Sequence, residues 1–349
     1  MGGNATRERD VEHSAGPFRI LIVSDAWFPQ VNGVVRTLEA LRRQLVADGH
    51  AVVMVTPDGF RSIPCPSYPE IRLALPAPAA VARLIEAFHP HAIHIATEGP
   101  LGLVARWCCR RRGVPFTTSY HTHFPEYVAA RWRLPSEWTY RFFRWFHAPS
   151  DGVMVSTQSL EQLLHDRGFQ RLRRWSRGVD TAMFRPREKT FYPHPRPVSL
   201  YVGRIAIEKG IEDFLRLDLP GTKVVVGDGP LLPELRRRYP QAIFAGGRAG
   251  EELARHYAAA DVFVFPSRTD TFGLVLLEAL ASGVPVAAYP VPGPLDVIGG
   301  SGAGSLDEDL GAAVLRALRI PPEACRQHAL SFSWQHSARQ FLFNLQLIG

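Results

Sequence analysis

The segment that decides the fold is "PSRTDTFGLVLLEALASGVPVAAYP", residues 266–290, in which Asp270 and Glu278 stand eight positions apart around a Phe-Gly pair and an apolar run. The residues just before it, "DVFVFPS" (261–267), are almost continuously apolar. Continuous apolar runs of this length are typical of strands that are buried on both faces of a parallel sheet. The pattern predicts a buried strand, a short turn and a helix that begins at about Gly273.

The same alternation of a short apolar segment and a helical stretch recurs along the whole chain. The predicted strands lie within 19–27, 50–58, 91–99, 114–122 and 151–158, and then within 198–204, 222–229, 241–247, 261–267 and 284–291. Strands that alternate with helices form parallel α/β sheets. The sequence therefore predicts an α/β protein with two Rossmann-like parallel-sheet domains facing a central cleft.

These patterns also set the predicted domain limits. They are a disordered N-terminal tail (1–17), an N-terminal Rossmann-like domain (18–180), an Arg- and Pro-rich linker (181–197), a C-terminal Rossmann-like domain (198–332) and a C-terminal helix that crosses back to the N-terminal domain (333–349).

Composition narrows the class of protein. The chain has 349 residues, 46% hydrophobic and 21% charged, which suffices for two cores. Its net charge of +7 predicts an anionic partner, but its arginines do not form a known nucleic-acid-binding module. The four cysteines lack Cys-x-x-Cys spacing, and no apolar run approaches the ~20 residues that span a bilayer. We expect a cytoplasmic protein without nucleic-acid partners.

The residues that follow the predicted strands carry the chemistry, because ligands of parallel sheets bind at the carboxyl ends of strands. Arg204 and Lys209 follow a strand and suit a diphosphate leaving group. The first amides after Gly273 form an anion site, and glycine leaves the approach open. Asp270 and Glu278 are placed to grip hydroxyl groups, so a sugar diphosphate fits this end of the sheet.

Several segments together carry a resemblance to a known family. They are "DAWFPQVNGVVRTL", "SYHTHFPEY", "RGVDTAMFRP", "VGRIAIEKG", "VVVGDGP" and the opening segment, and they cover nearly the whole folded chain. The sequence resembles the retaining GT-B glycosyltransferases of family 4, which implies that the N-terminal domain (18–180) binds the acceptor and the C-terminal domain (198–332) binds the nucleotide sugar. Its "TDTFG" looks like the branch with bacterial GDP-mannose-dependent α-mannosyltransferases and related glycolipid glycosyltransferases. No Gly-x-Gly-x-x-Gly is present, which counts against a nicotinamide-dependent dehydrogenase.

The resemblance implies a phosphate-binding role for one set of residues. Gly33 would face the donor diphosphate, and Arg204 and Lys209 would bind it. The cradle would be completed by the backbone amides of Phe272, Gly273 and Leu274.

The resemblance also implies contacts to the rest of the donor. Glu278 would hold the nucleotide ribose, Asp270 would contact hydroxyls of the donor sugar, and Gly227 and Gly246 would lie close to the base. His121 would lie near the anomeric centre and the acceptor. The family usually has Glu where this chain has Asp270, whose side chain is one methylene shorter.

The implied reaction is hexosyl transfer, with mannose favoured, to a lipid or glycolipid hydroxyl. No residue has to act as a covalent nucleophile; in the front-face route, the departing phosphate accepts the proton of the attacking hydroxyl. The catalytic residues would be His121, Asp270, Arg204 and Lys209. The donor would be GDP-mannose or a UDP-hexose, and no cofactor or metal is expected; Asp307-x-Asp309, which looks like a metal motif, is better explained by helix capping.

Other activities fit the same motifs. They are a UDP-glucose- or UDP-glucuronate-dependent diacylglycerol glycosyltransferase, a phosphorylase-like or epimerase-like enzyme of the same fold, and a non-catalytic homologue that only binds sugar nucleotides. The motifs do not distinguish the donor base or the sugar.

The predicted acceptor-binding domain contains a basic aromatic stretch, "ARWRLPSEWTYRFFRWFH" (130–147). Such a composition suits an anionic membrane interface and a lipid acceptor. It equally suits a helix that packs its aromatic side chains into the core while its arginines face water. The first interpretation predicts a peripheral protein at the inner face of the cytoplasmic membrane.

Overall fold

The structure, a computed structural model, describes residues 16–30, 32–65, 68–121 and 136–348. It divides into two compact units, of which the first combines Met1–Ser176 with Trp334–Gly349 and the second is Arg177–Ser333. Residues 1–15 of the predicted tail lie outside the described residues. No helix among the described residues has the length and apolar composition needed to cross a membrane.

The first unit contains a six-stranded parallel sheet. In spatial order its strands are β2 (Ala51–Val55), β1 (Arg19–Val23), β5 (Ala92–Ile95), β6 (Thr117–Tyr120), β7 (Gly152–Val155) and β8 (Leu172–Arg174). A separate antiparallel hairpin is formed by β3 (Ser62–Cys65) and β4 (Tyr68–Ala74).

The second unit contains another six-stranded parallel sheet. In spatial order its strands are β11 (Ile243–Gly246), β10 (Thr222–Val226), β9 (Val198–Val202), β12 (Val262–Phe265), β13 (Val286–Ala288) and β14 (Gly304–Leu306). All five residues of β9 are buried, as expected for a strand covered on both faces.

The helices lie between the strands along the chain. In the first unit they are α1 (Gly33–Ala47), α2 (Pro78–Phe88), α3 (Pro100–Arg112), α4 (Ser136–His147) and α5 (Gln158–Asp166). In the second unit they are α6 (Ile211–Arg216), α7 (Leu232–Arg238), α8 (Gly250–Ala258), α9 (Leu274–Ala281), α10 (Pro292–Ile298), α11 (Leu310–Ala317) and α12 (Pro322–Leu330). The last helix is α13 (Trp334–Asn344).

Helix α13 is part of the first unit, to which it is fixed by packing and hydrogen bonds. The ring of its Phe341 lies 5.1 Å from the ring of the buried Trp175, centroid to centroid. Trp175 Nε1 donates to Ser337 Oγ at 3.1 Å, and Asn344 Nδ2 donates to the Arg174 carbonyl at 2.7 Å. The C-terminal segment therefore completes the core of the N-terminal unit.

Each sheet has one point where the strand order reverses. In the second unit β9 lies between β10 and β12, so the chain leaves the middle of the sheet in opposite directions. In the first unit β1 lies between β2 and β5 in the same way. Ligands of open parallel sheets bind at such switch points, beyond the carboxyl ends of the strands. The candidate ligand-binding loops are therefore those after β9 and β12 in the second unit and those after β1 and β5 in the first.

The ten predicted strands are all confirmed. The sequence did not predict β8, β14 or the hairpin, because these segments are short or mix polar and apolar residues. The predicted linker, 181–197, lies within the second unit, where Phe184 and Tyr192 are buried in its core. Arg326 holds this segment by donating to the Phe184 and Thr181 carbonyls.

Candidate active site

The loops that follow β9 and β12 contact each other at the switch point of the second sheet. Thr269 Oγ1 donates to the Glu208 carbonyl at 3.2 Å. Gly210 lies so close to Pro266 that a Cβ on the glycine would be 2.7 Å from the proline carbonyl oxygen. The two loops therefore form one surface beyond the carboxyl ends of their strands.

An ion pair joins two predicted site residues across these loops. Lys209 Nζ donates to Asp270 Oδ1 at 2.5 Å. The other oxygen, Asp270 Oδ2, is buried and has no hydrogen-bond partner among the described residues. A carboxylate oxygen accepts about two hydrogen bonds, and buried polar atoms normally have partners. The orphaned oxygen therefore suits a ligand that donates hydrogen bonds, such as a sugar hydroxyl.

Arg204 begins the loop after β9, where its backbone is held by a buried tyrosine. Tyr201 Oη donates to the Arg204 carbonyl at 2.8 Å. Burial raises the pKa of the Tyr201 hydroxyl, and the nearby carboxylates of Asp270 and Glu208 raise it further. The sequence analysis missed Tyr201, whose only signal is a phenol in an otherwise largely aliphatic strand.

Gly273 precedes helix α9 for a reason that differs from the one predicted. Its φ is +81°, in the left-handed region that favours glycine. A Cβ there would lie 3.1 Å from Leu276 Cδ1 and 3.2 Å from Phe265 Cζ, both side chains of the core. Backbone conformation and core packing thus require this glycine, whereas the sequence analysis assigned it to keeping the ligand approach open.

Glu278 is a carboxylate within an otherwise apolar helix. It is only 4% exposed on α9, and its neighbours Leu277 and Ala279 are completely buried. Tyr257, on α8, donates from Oη to Glu278 Oε2 at 2.9 Å. Because a buried charge is stable only when it is hydrogen-bonded or paired, Tyr257 fixes this side chain. The sequence analysis missed Tyr257, which carries no motif.

Two further predicted site residues lie where the loops after β10 and β11 pack tightly. Gly227 N donates to the Gly246 carbonyl at 2.9 Å, and the two glycines have φ of +146° and +77°. A Cβ on Gly227 would lie 1.9 Å from the Gly203 carbonyl oxygen. These glycines are explained by loop packing, and their contact with a base stays a prediction.

The loop after β1 in the first unit contains Gly33, at the start of α1. The Asn32 side chain accepts from the amides of Val34 and Val35, both at 3.0 Å. The cap therefore already satisfies two of the first amides of the helix, on which the predicted anion site depends. The predicted contact of Gly33 with a diphosphate stays a prediction.

His121 follows β6 in the same unit. Its ring lies 5.9 Å from the ring of the buried Trp175, at a steep angle to it, so the imidazole packs against the core of the first unit. Its role near the acceptor stays a prediction.

The switch point of the first sheet is organised by Asp25, which the sequence did not single out. Its carboxylate accepts from the Leu101 amide at 2.8 Å and from Thr97 Oγ1 at 2.9 Å. Burial raises the pKa of Asp25 although these hydrogen bonds favour the charged form. Asp25 thereby ties the loop after β1 to the start of α3.

The Asp307-x-Asp309 pair has the capping role that the sequence predicts. Asp309 precedes α11 and accepts from the Ala312 amide at 3.0 Å. Asp307 pairs with Arg316 at 2.5 Å, which together with the Asp309 amide lowers its pKa. The described residues contain no group of three or more His, Cys, Asp or Glu side chains arranged to hold a metal ion.

The architecture matches a solved structure of sucrose-phosphate synthase from Thermosynechococcus elongatus. The match covers 93% of this chain and 97% of that chain, with a TM-score of 0.74 at 22% identity. The protein therefore has the GT-B fold, with two Rossmann-like domains.

Family models and relatives then identify the family. The model for glycosyltransferase family 4 matches residues 31–183, and that for glycosyl transferases group 1 matches 196–319. A GDP-mannose-dependent alpha-mannosyltransferase of Mycobacterium tuberculosis is 35% identical over 80% of this chain and 81% of its own length. An alpha-monoglucosyldiacylglycerol synthase of Streptococcus pneumoniae is 31% identical over 90% of this chain and 81% of its own. The chain belongs to glycosyltransferase family 4.

The packing of Gly273 predicts a stability difference between two glycine positions. Gly250 also has a positive φ (+55°) but has open space where a Cβ would be, so Gly250→Ala tests the backbone alone. We expect a loss of about 1 kcal/mol for Gly250→Ala and about 2–3 kcal/mol for Gly273→Ala, since the latter adds overpacking.

Urea unfolding followed by far-UV circular dichroism measures both losses. All seven tryptophans belong to the first unit, so their emission reports on that unit alone and should not change. Equal losses for the two variants would show that Leu276 and Phe265 do not restrict position 273.

Proposed function

We propose that this chain is a retaining hexosyltransferase that moves mannose from GDP-mannose to a lipid or glycolipid hydroxyl. Two relatives support the substrates by their names, one being GDP-mannose-dependent and the other a synthase of a glucosyl diacylglycerol. The site in the second unit supports a sugar diphosphate independently of those names.

The observation that carries the proposal is the Lys209–Asp270 pair with its orphaned oxygen. A sugar nucleotide presents anionic phosphate and neutral hydroxyls side by side. The Lys209 ammonium has three N–H donors, so it can bind phosphate while it keeps its bond to Asp270. Asp270 Oδ2 then accepts from a hydroxyl of the donor sugar. The pair thus contacts both the phosphate and the sugar of the donor, where the two are joined.

The remaining groups of the second unit complete the donor site. Arg204 and the first amides of α9, those of Phe272, Gly273 and Leu274, bind the diphosphate, because charged donors and helix N-termini stabilise anions. Glu278, held by Tyr257, accepts from the ribose hydroxyls. Gly227 and Gly246 lie close to the base.

The reaction follows from where charge develops. The bond between the anomeric carbon and the phosphate oxygen breaks, and negative charge grows on the departing diphosphate. Lys209, Arg204 and the α9 amides stabilise that charge. The acceptor oxygen bonds to the anomeric carbon on the same face, and its proton passes to the departing phosphate. The α configuration of the donor is therefore kept.

We propose that this transfer needs no divalent cation, since two protein cations and the helix amides neutralise the diphosphate. His121 in the first unit is the proposed contact of the acceptor. The acceptor chemistry places the proposed site of action at the inner face of the cytoplasmic membrane.

A second candidate is a UDP-glucose- or UDP-glucuronate-dependent diacylglycerol glycosyltransferase. The name of the Streptococcus pneumoniae relative favours it, because that synthase makes a glucosyl lipid. It uses the same phosphate contacts and differs in the base and the sugar.

Because Lys209 and Asp270 are proposed to contact different parts of the donor, replacing each residue should change the affinities for GDP and GDP-mannose differently. Lys209→Ala should weaken GDP and GDP-mannose alike by about 10–100-fold, the equivalent of the ~1.5–3 kcal/mol of a charge-assisted hydrogen bond. Asp270→Asn should weaken GDP-mannose much more than GDP, because only GDP-mannose has the sugar that Asp270 Oδ2 is proposed to contact. Isothermal titration calorimetry measures the dissociation constants for GDP and GDP-mannose, with UDP and UDP-glucose in parallel.

Arg319→Ala and Glu323→Gln are matched controls, since both residues are exposed in the second unit away from these loops. Equal losses of GDP and GDP-mannose in Asp270→Asn would contradict the assignment of Asp270 to the sugar. Unchanged affinities in both site variants would contradict the proposal that the donor binds at these residues.

The stereochemistry and metal independence predict the outcome of slow donor hydrolysis, in which water replaces the acceptor. In the presence of EDTA, proton NMR should show α-mannose as the first product from GDP-mannose, before mutarotation. The same assay is run with UDP-glucose and UDP-glucuronate. Of the three sugar nucleotides, the preferred donor should be hydrolysed fastest. First release of the β anomer would contradict retention, and activity that returns only with added Mg²⁺ or Mn²⁺ would contradict metal independence.

A further inference from the structure

Helix α4 presents two aromatic faces, one buried and one exposed. Tyr140, Phe143 and Phe146 are in the core of the first unit. Trp138, Phe142 and Trp145 are 73%, 39% and 51% exposed. Their spacing of four and three residues places them on one stripe of the helix. The core-packing interpretation is therefore confirmed for the inner rings, whereas the membrane interpretation of the exposed rings stays a prediction.

The exposed stripe is continuous and held in place at one end. The rings of Phe142 and Trp145 lie 5.8 Å apart. Trp145 stacks on the guanidinium of Arg106, 3.9 Å from the ring centre, and Arg106 donates to the carbonyls of Trp145 and Phe146 at 2.8 and 2.9 Å. Helix α3 thus holds an outward-facing tryptophan in a fixed orientation.

Arginines lie at the Trp145 end of the stripe and on the same helix. Arg141 is exposed on α4, between the ring positions. Arg110 and Arg111 are exposed in the last turn of α3. Burial lowers the pKa of Arg106, and the charge of Arg110 lowers it further. Trp107, also exposed on α3, carries the Arg111 guanidinium 5.3 Å from its ring centre. Aromatic rings with flanking arginines match the headgroup region of an anionic bilayer.

We propose that Trp138, Phe142 and Trp145, called here the α4 stripe, dock the first unit on an anionic lipid surface. A second copy of the chain fits less well. With ~150–250 Å² for a whole aromatic side chain, the stripe exposes on the order of 400 Å², about half of the ~800 Å² that each partner of a stable dimer contributes. Shallow insertion of a few rings between headgroups needs no larger face.

This inference deepens the proposed lipid acceptor and names the surface that brings the enzyme to it. It does not depend on catalysis, because the docking test contains no sugar nucleotide. Failure of the docking surface and failure of the proposed reaction are therefore separable.

The test is co-sedimentation of the full-length protein with vesicles of phosphatidylcholine, alone or with about one-third phosphatidylglycerol. The protein should bind the anionic vesicles, more weakly at high salt, because surface electrostatic attraction is screened. Trp138→Ser combined with Phe142→Ser should reduce the partition coefficient at least about tenfold, since two inserted rings are lost. Phe191→Ser, 40% exposed in the second unit, is the matched control and should bind as wild type does.

Tryptophan emission reports the insertion directly. Emission should shift to shorter wavelength with anionic vesicles, and Trp138→Phe should remove much of the shift while keeping binding. Unchanged far-UV circular dichroism and an unchanged midpoint of urea unfolding show that each variant is folded.

Three results would overturn the proposal: wild-type protein that does not bind anionic vesicles at low salt, a double variant that binds as well as wild type, or self-association that the double variant abolishes without any vesicle binding.

Discussion

The contact between the loops after β9 and β12 is the constraint on which the candidate site depends. The reversal of strand order brings these loops together, and Gly210 allows them to approach because a Cβ would collide with Pro266. The Lys209–Asp270 ion pair then joins them. A cation and a carboxylate from distant parts of the sequence thus lie together where one ligand can contact both.

Much of the fold was predictable because buried parallel strands leave a simple pattern of continuous apolar residues, and the ten long segments were all identified from it. The strands that were missed lie at the edges of the sheets or in the hairpin, where burial is incomplete and the pattern is weaker. The segment predicted as a linker is part of the second unit. Its Pro and Arg content suggested an exposed connection, but Phe184 and Tyr192 are buried against residues distant in the sequence.

The sequence identified residues that the structure brings together, but it did not predict the contacts that hold the others. The position after a strand identified Lys209 and Asp270, and the structure brings them together. Tyr201 and Tyr257, which hold Arg204 and Glu278, were not predictable, because a hydrogen bond from a distant tyrosine leaves no local pattern. Helix α4 shows the same limit: its composition predicted both core packing and an interface, and only the structure assigns each ring to one face.

Hydrogen exchange with GDP bound tests the central claim most directly, that the second unit binds a nucleoside diphosphate at its switch point. The account predicts slower amide exchange in peptides covering 203–212 and 272–276 when GDP is added, with no change over 310–330. UDP is compared in parallel, because the phosphate contacts do not depend on the base. Calorimetric binding of GDP without slower exchange in either loop, or with protection only elsewhere, would contradict the account.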